Sequence, residues 1–122
     1  MACMSVDRSK QLQAVKAQFS PEFPPTISCD EGWHTLVIDC HLELWAIDPN
    51  YSILQIKEKF GTLRYYFSPS EPMAHLRKEM NKVVAVYESV SSYKCEKCGD
   101  MGATLRNRNR WMKTLCDSCN GD

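Results

Sequence analysis

Cys95-Glu96-Lys97-Cys98-Gly99 and Cys116-Asp117-Ser118-Cys119 leave 17 residues between Cys98 and Cys116, and the reading of this stretch decides the C-terminal quarter of the fold. Two thiolates three positions apart can grip one ion if the backbone between them turns tightly, and Gly99 supplies the freedom that such a knuckle needs. Zinc takes four ligands in a tetrahedron and has no redox chemistry of its own, so four cysteines fill its coordination sphere. The expectation is one structural Zn2+ on Cys95, Cys98, Cys116 and Cys119. An iron–sulfur cluster is the alternative occupant, because thiolates hold those too. Residues 103–106 and 111–115 have the composition of two ribbon strands on either side of the polar loop Asn107-Arg108-Asn109-Arg110. A segment of about 25 residues cannot bury enough apolar surface to fold alone, so metal binding must supply its stability. Loss of one cysteine should therefore unfold the module.

The same site does not read as catalytic. A catalytic zinc keeps an open position for water, commonly with His or a carboxylate among its ligands. A thioredoxin-like Cys-x-x-Cys belongs at the start of a helix after a strand, which two pairs at ribbon spacing do not match.

Upstream of the cysteines, the residues from Met73 to Val90 give the clearest helix in the chain, expected over 71–91. Met73, Leu76, Met80, Val83, Val84, Tyr87 and Val90 form one apolar stripe, while Arg77, Lys78, Glu79 and Lys82 face water. Before it, Ile53-Leu54-Gln55-Ile56 and Leu63-Arg64-Tyr65-Tyr66-Phe67 flank the break Phe60-Gly61-Thr62. This predicts a β-hairpin over 51–67, with Gly61 at the turn or a bulge. Two readings compete for the segment before that. Residues 38–46 alternate as a half-buried strand, with Asp39, His41 and Glu43 on one side. A helix over 31–47 instead lines up Trp33, Leu36, Val37, Cys40, Leu44 and Ile47, with Asp30 as N-cap and Asp48-Pro49 as the stop. Length and matched end signals favour the helix, and Asp39, His41 and Glu43 then belong to a solvated face. A short N-terminal helix over 6–19 ends at Ser20-Pro21, and Pro24-Pro25 carries an extended connector to Asp30.

The chain has 122 residues with 15 basic and 15 acidic side chains, which gives one domain and argues against a non-specific nucleic-acid coat. No window has the run of apolar residues of a membrane span, and the N-terminus lacks a secretory pattern. Seven cysteines form an odd set, so a fully paired disulfide framework does not fit. Four metal ligands and three unpaired thiols (Cys3, Cys29 and Cys40) in a reducing compartment fit better, with Cys29 and Cys40 behaving as small hydrophobes. The expectation is a soluble cytoplasmic protein with no membrane partner.

Two surfaces are candidates for partner binding. Arg106, Arg108, Arg110 and Lys113 cluster near Trp111 at the ribbon tip, where alternate residues share a face and the three arginines would point one way. Such a tip can contact phosphates while Trp111 stacks on a base. The competing reading is a solvated loop with Trp111 packed against the ribbon or the preceding helix. Lys57, Lys59 and Arg64 mark the hairpin end. They suit an acidic partner or, equally, a solvated turn in which Glu58 pairs with a lysine or Arg64. His34, His41 and His75 are isolated, and no nucleophile–base pair, phosphate loop or serine elbow is present, so no catalytic residue is assigned.

The string Ile56-Lys57-Glu58-Lys59-Phe60-Gly61-Thr62-Leu63-Arg64-Tyr65-Tyr66 resembles a motif in small proteins of bacteriophages and prophages. In these a comparable stretch follows a helix that begins near a Gly-Trp pair, here Gly32-Trp33. It precedes a metal module whose ending is similar to Thr114-Leu115-Cys116-Asp117-Ser118-Cys119. The likeness covers roughly 30–119, supports a helix over 31–47 and implies a phage or bacterial cell as the setting, without implying a mechanism. The fold expected is α+β, helices packed on a β-hairpin with a C-terminal zinc ribbon, divided as a core over 1–93 and a ribbon over 94–122. The function expected is a non-enzymatic binding module acting on a host protein, in a regulatory or anti-defence role. The alternative is a nucleic-acid-binding ribbon that uses 106–113.

Overall fold

The aromatic and β-branched run becomes a hairpin in the computed structural model, which describes residues 3–121, with side chains from Arg8 onward. Strand β2 (Ser52–Lys59) pairs antiparallel with β3 (Thr62–Ser68), and Lys59 faces Thr62 across a turn made of Phe60 and Gly61 alone. Both turn residues have positive φ, 53° and 80°, as a two-residue type I′ turn requires. Glu58 steadies the turn by accepting the Gly61 N–H at 2.7 Å, so it pairs with backbone and not with a lysine or Arg64. A bulge between Ile53 and Gln55 resets the register. Beyond it Ile56 and Glu58 face the same side as Leu63 and Tyr65, toward the core.

The sheet has a third strand that the sequence did not suggest. Strand β1 (Ile27–Ser28) pairs parallel with Ile56 and Lys57 inside what reads as a proline-led connector, giving the order β1-β2-β3. Two residues are too few to show any alternation, and the pairing is long-range. Helix α1 (Cys3–Ala17) ends short of the expected boundary, and Phe19 instead bridges to Ile53. Reading Cys3 as an unpaired thiol concerns a side chain outside those described.

Residues 31–47 are helical. One 3-10 turn, Glu31–Trp33, leads into α2 (His34–Ile47), so the strand reading fails. Trp33, Leu36, Val37, Cys40 and Leu44 are buried as the stripe predicts, whereas Ile47 is 39% exposed at the last turn. His41 corrects the expected solvated face. It is buried, and its Nδ1 shares a 2.7 Å hydrogen bond with the Tyr51 hydroxyl, which meets the Tyr65 hydroxyl at 2.8 Å. Asp30 occupies the N-cap position without using its carboxylate there, because that group turns to Lys113. At the other end Asp48 accepts hydrogen bonds from the Ser70 N–H (2.8 Å) and hydroxyl (2.6 Å), tying the helix stop to the segment before the next helix.

Helix α3 (Ala74–Ser91) begins after Pro72, and Met73, still extended, is half exposed and no part of the buried stripe. Met80 and Val84 are buried, with Leu76, Val83, Tyr87 and Val90 packed beside them. Helix α3 also closes the free edge of β3: the Leu63 N–H donates to Ser91 Oγ (2.8 Å) and the Tyr65 N–H to a Glu88 carboxylate oxygen (2.9 Å). An edge covered in this way cannot recruit a foreign strand. The molecule is thus α+β: helices on one side of a small sheet, with a two-stranded ribbon of β4 (Thr104–Arg108) and β5 (Trp111–Leu115) after α3. No helix among the described residues is long and apolar enough to cross a membrane.

Candidate metal centre and its surroundings

The first cysteine pair lies in a knuckle closed by two backbone bonds, Cys95 N–H to Asp100 O (2.7 Å) and Gly99 N–H to Cys95 O (2.8 Å). Gly99 has φ 89°, so the freedom read from its sequence position is used. The second pair opens the short helix α4 (Asp117–Asn120), with Cys116 at its N-cap and Cys119 one turn on, a spacing that brings both thiols to one side. Strands β4 and β5 carry the two pairs together. All four Sγ atoms lie within 4.8 Å of one another, and among the described residues this is the one group of three or more such donors that can share an ion. Cys98 Sγ and Cys116 Sγ are 3.7 Å apart. A tetrahedron with metal–sulfur bonds of about 2.3 Å has edges of about 3.8 Å, so the donor set fits a four-coordinate ion.

The electrostatics point the same way. Burial opposes the Cys95 thiolate, but the backbone N–H groups of Cys116, Cys98 and Lys97 outweigh it and bring the thiol down to about 6. Cys119 is pushed up to about 12, chiefly by its hydrogen bond with Cys116 and then by burial and the remaining thiols. Four thiols crowded together resist ionising jointly until a cation neutralises them. The other thiols are of a different kind. Burial raises Cys29 to about 12 and raises Cys40 further, so both act as packing groups, as expected.

The centre is tied to the core through Gly32-Trp33. Gly32 N–H donates to Glu96 O (2.7 Å), and Trp33 Nε1 donates to Lys94 O (2.8 Å). A Cβ at Gly32 would collide with the carbonyls of Cys95 and Glu96, so only glycine allows this approach. Beside it, the buried Glu96 carboxylate accepts the Asp30 N–H at 3.0 Å, and Lys113 Nζ pairs with Asp30 at 2.8 Å and lies 3.9 Å from Glu96. On the other face of the ribbon, Thr114 donates to Gly61 O at 2.5 Å, seating the hairpin turn against β5. Gly32-Trp33 reads in sequence only as the start of a helix, and Glu96 only as a spacer between ligands. A partner more than 60 positions away leaves no local signal.

The candidate partner residues do not form one patch. Arg106 faces Lys113 across the ribbon and Arg108 faces Trp111, so these four share a side. Arg106, however, pairs with Asp117 (2.7 Å) and donates to Leu115 O (3.2 Å), and Lys113 is held by Asp30. Arg110 is not on that face. It sits with Asn109 in a second type I′ turn, φ 73° and 53°, which ends the alternation. Trp111 is 65% exposed, against the expected packed position. Lys57, Lys59 and Arg64 lie on the outward face of the hairpin. Phe60, missed in the sequence beyond its place in the turn, is 67% exposed and lines one depression with Arg110, Trp111 and Met112.

Fold and site together define an α+β core that carries a four-cysteine ribbon able to hold a metal ion. No family model matches the chain, and neither a curated protein nor a solved structure matches it.

Proposed function

We propose that this protein is a non-enzymatic binding module of phage or prophage type, whose ribbon is held by one structural Zn2+ on Cys95, Cys98, Cys116 and Cys119. When bound, the ion supplies structural cross-linking; four thiolates leave no position for a substrate or a reactive water. Its partner is a host protein, in a regulatory or anti-defence role, in the cytoplasm of a bacterial cell. The phage setting is supported by the resemblance of 56–66, of the helix start at Gly32-Trp33 and of 114–119 to small proteins of bacteriophages and prophages.

The observation that carries a binding role is the pair of type I′ turns set side by side. Each places a large side chain where Asn or Gly is the cost-free choice: Phe60 at φ 53° and Arg110 at φ 73°. A non-glycine residue in that region costs on the order of 1 kcal/mol, and Phe60 recovers little of it by burial. Strain kept on an exposed aromatic points outside the fold. Phe60, Trp111 and Arg110 are also the residue types that anchor protein interfaces. The nucleic-acid reading of 106–113 is weaker, since Arg106 and Lys113 are engaged in ion pairs within the chain.

Cross-linking of the zinc-loaded chain in host cells, followed by reconstitution with the purified target, tests this reading. A target bound by the native chain and lost with Phe60→Asn and Trp111→Ala supports it. A target bound equally by both variants, or none that can be reconstituted, contradicts it.

A further inference from the structure

A second surface carries charge that the fold itself does not use. Beyond the bulge, the side of the sheet turned away from the helices presents Gln55, Lys57, Lys59, Thr62, Arg64 and Tyr66. It holds three cations and no acid, because Glu58 faces inward and is engaged with the Gly61 N–H. Lys57 stands directly opposite Arg64 in the ladder, a like-charge pair that destabilises a hairpin. No carboxylate among the described residues lies within ion-pair reach of Lys57, Lys59 or Arg64. Arg64 Nε is moreover buried without a hydrogen-bond acceptor. In a chain of zero formal charge such a face is a local segregation and not a general excess.

The aromatic at the bulge end of this face narrows the ligand. Tyr66 is 41% exposed, and Lys57 Nζ lies 5.9 Å from its ring centroid. Cations spread along an open strand pair, with an aromatic ring at one end of the row, suit a phosphate backbone whose bases are free to stack. A duplex hides its base faces, and an acidic peptide would leave the ring unused.

We infer that this face binds single-stranded nucleic acid, with Lys57, Lys59 and Arg64 on the phosphates and Tyr66 beneath a base. The face adjoins the Phe60–Trp111 end, where Lys59 Nζ lies 5.7 Å from the Phe60 ring centroid, and its ligand goes beyond the protein-partner reading. The test is fluorescence anisotropy of the zinc-loaded chain with a labelled single strand of about 12 nucleotides, DNA or RNA, across a salt series. Three phosphate contacts predict that log affinity falls with log salt at a slope of about −2. The double variant Lys57→Ala/Arg64→Ala should weaken binding at least about tenfold and flatten the slope. Tyr66→Ala should cost about tenfold while Tyr66→Phe retains binding. These side chains point outward, and an unchanged circular dichroism spectrum verifies the fold of each variant. Absence of binding at about 50 mM salt overturns the inference. So does binding that responds to Trp111→Ala and not to the face variants, a duplex bound as tightly as the single strand, or equal displacement by polyglutamate.

Discussion

In the core, sixteen described apolar residues close around Trp33 and Leu44; under the ribbon the buried apolar residues are Cys95, Ala103 and Leu115, and the partly buried ones packed against them are Cys116 and Cys119. The two regions are joined in one chain yet held by different forces. Apolar burial at roughly 25 cal/mol per Å2 is enough to order helices on a sheet of this size. A three-residue cluster is not, so the ion proposed for the four thiolates would supply the cross-link that the ribbon's own apolar packing does not. The contrast separates what a mutation can do in each region. A core change lowers stability by degrees, while a change at the centre removes the module.

Leu44→Ala should break the core side of this comparison with the largest effect. Leu44 is fully buried, so urea unfolding should show a loss of about 3 kcal/mol with metal content unchanged. Loss of the metal in that variant would mean the two regions are not separable. Gly32→Ala acts at the joint, where the new methyl group meets the Cys95 and Glu96 carbonyls. Relief requires the knuckle to move, so stability should fall by about 2 kcal/mol and exchange of the Gly99 and Cys95 amides should quicken. Arg110→Gly should sharpen the ribbon side in the opposite direction. Asn-Gly is the preferred pair for a type I′ turn, and the holo protein should gain about 1 kcal/mol.

The smallest effect concerns His41. Burial holds its imidazole below the usual value, so the unfolded chain binds the extra proton first. Its contribution to stability is complete above about pH 6.5 and is lost as pH falls from there toward the depressed folded value. A proton NMR titration should give His41 a midpoint below 6.5; a midpoint at or above it would contradict the buried His41–Tyr51–Tyr65 chain.

Much of this was legible in the sequence, for physical reasons that also mark where legibility ends. The 3.6-residue stripe read over 71–91, the hairpin composition of 51–67 and the two Cys-x-x-Cys pairs are local patterns, and the helix (Ala74–Ser91) and the hairpin strands (Ser52–Lys59 and Thr62–Ser68) formed within three residues of those bounds. The burial of His41 was also readable. It lies four residues after Val37 and three before Leu44, on the buried side of α2, once the helix is preferred to the strand. Strand β1, the seating of Gly32 against the knuckle and the engagement of Arg106 and Lys113 by acids depend on residues far apart in the chain. No local periodicity carries them. Phe60 was a case of chemistry overlooked: a turn with Gly61 as second residue needs a positive φ at the first as well.

The most direct test is hydrogen exchange of the purified chain before and after removal of its metal with a chelator, with the released ion identified by mass spectrometry. The account predicts one zinc per chain, and loss of protection for the amides of β4 and β5 while those of α2 and α3 stay protected. A ribbon that keeps its protection without metal would contradict it, as would a core that unfolds together with the ribbon.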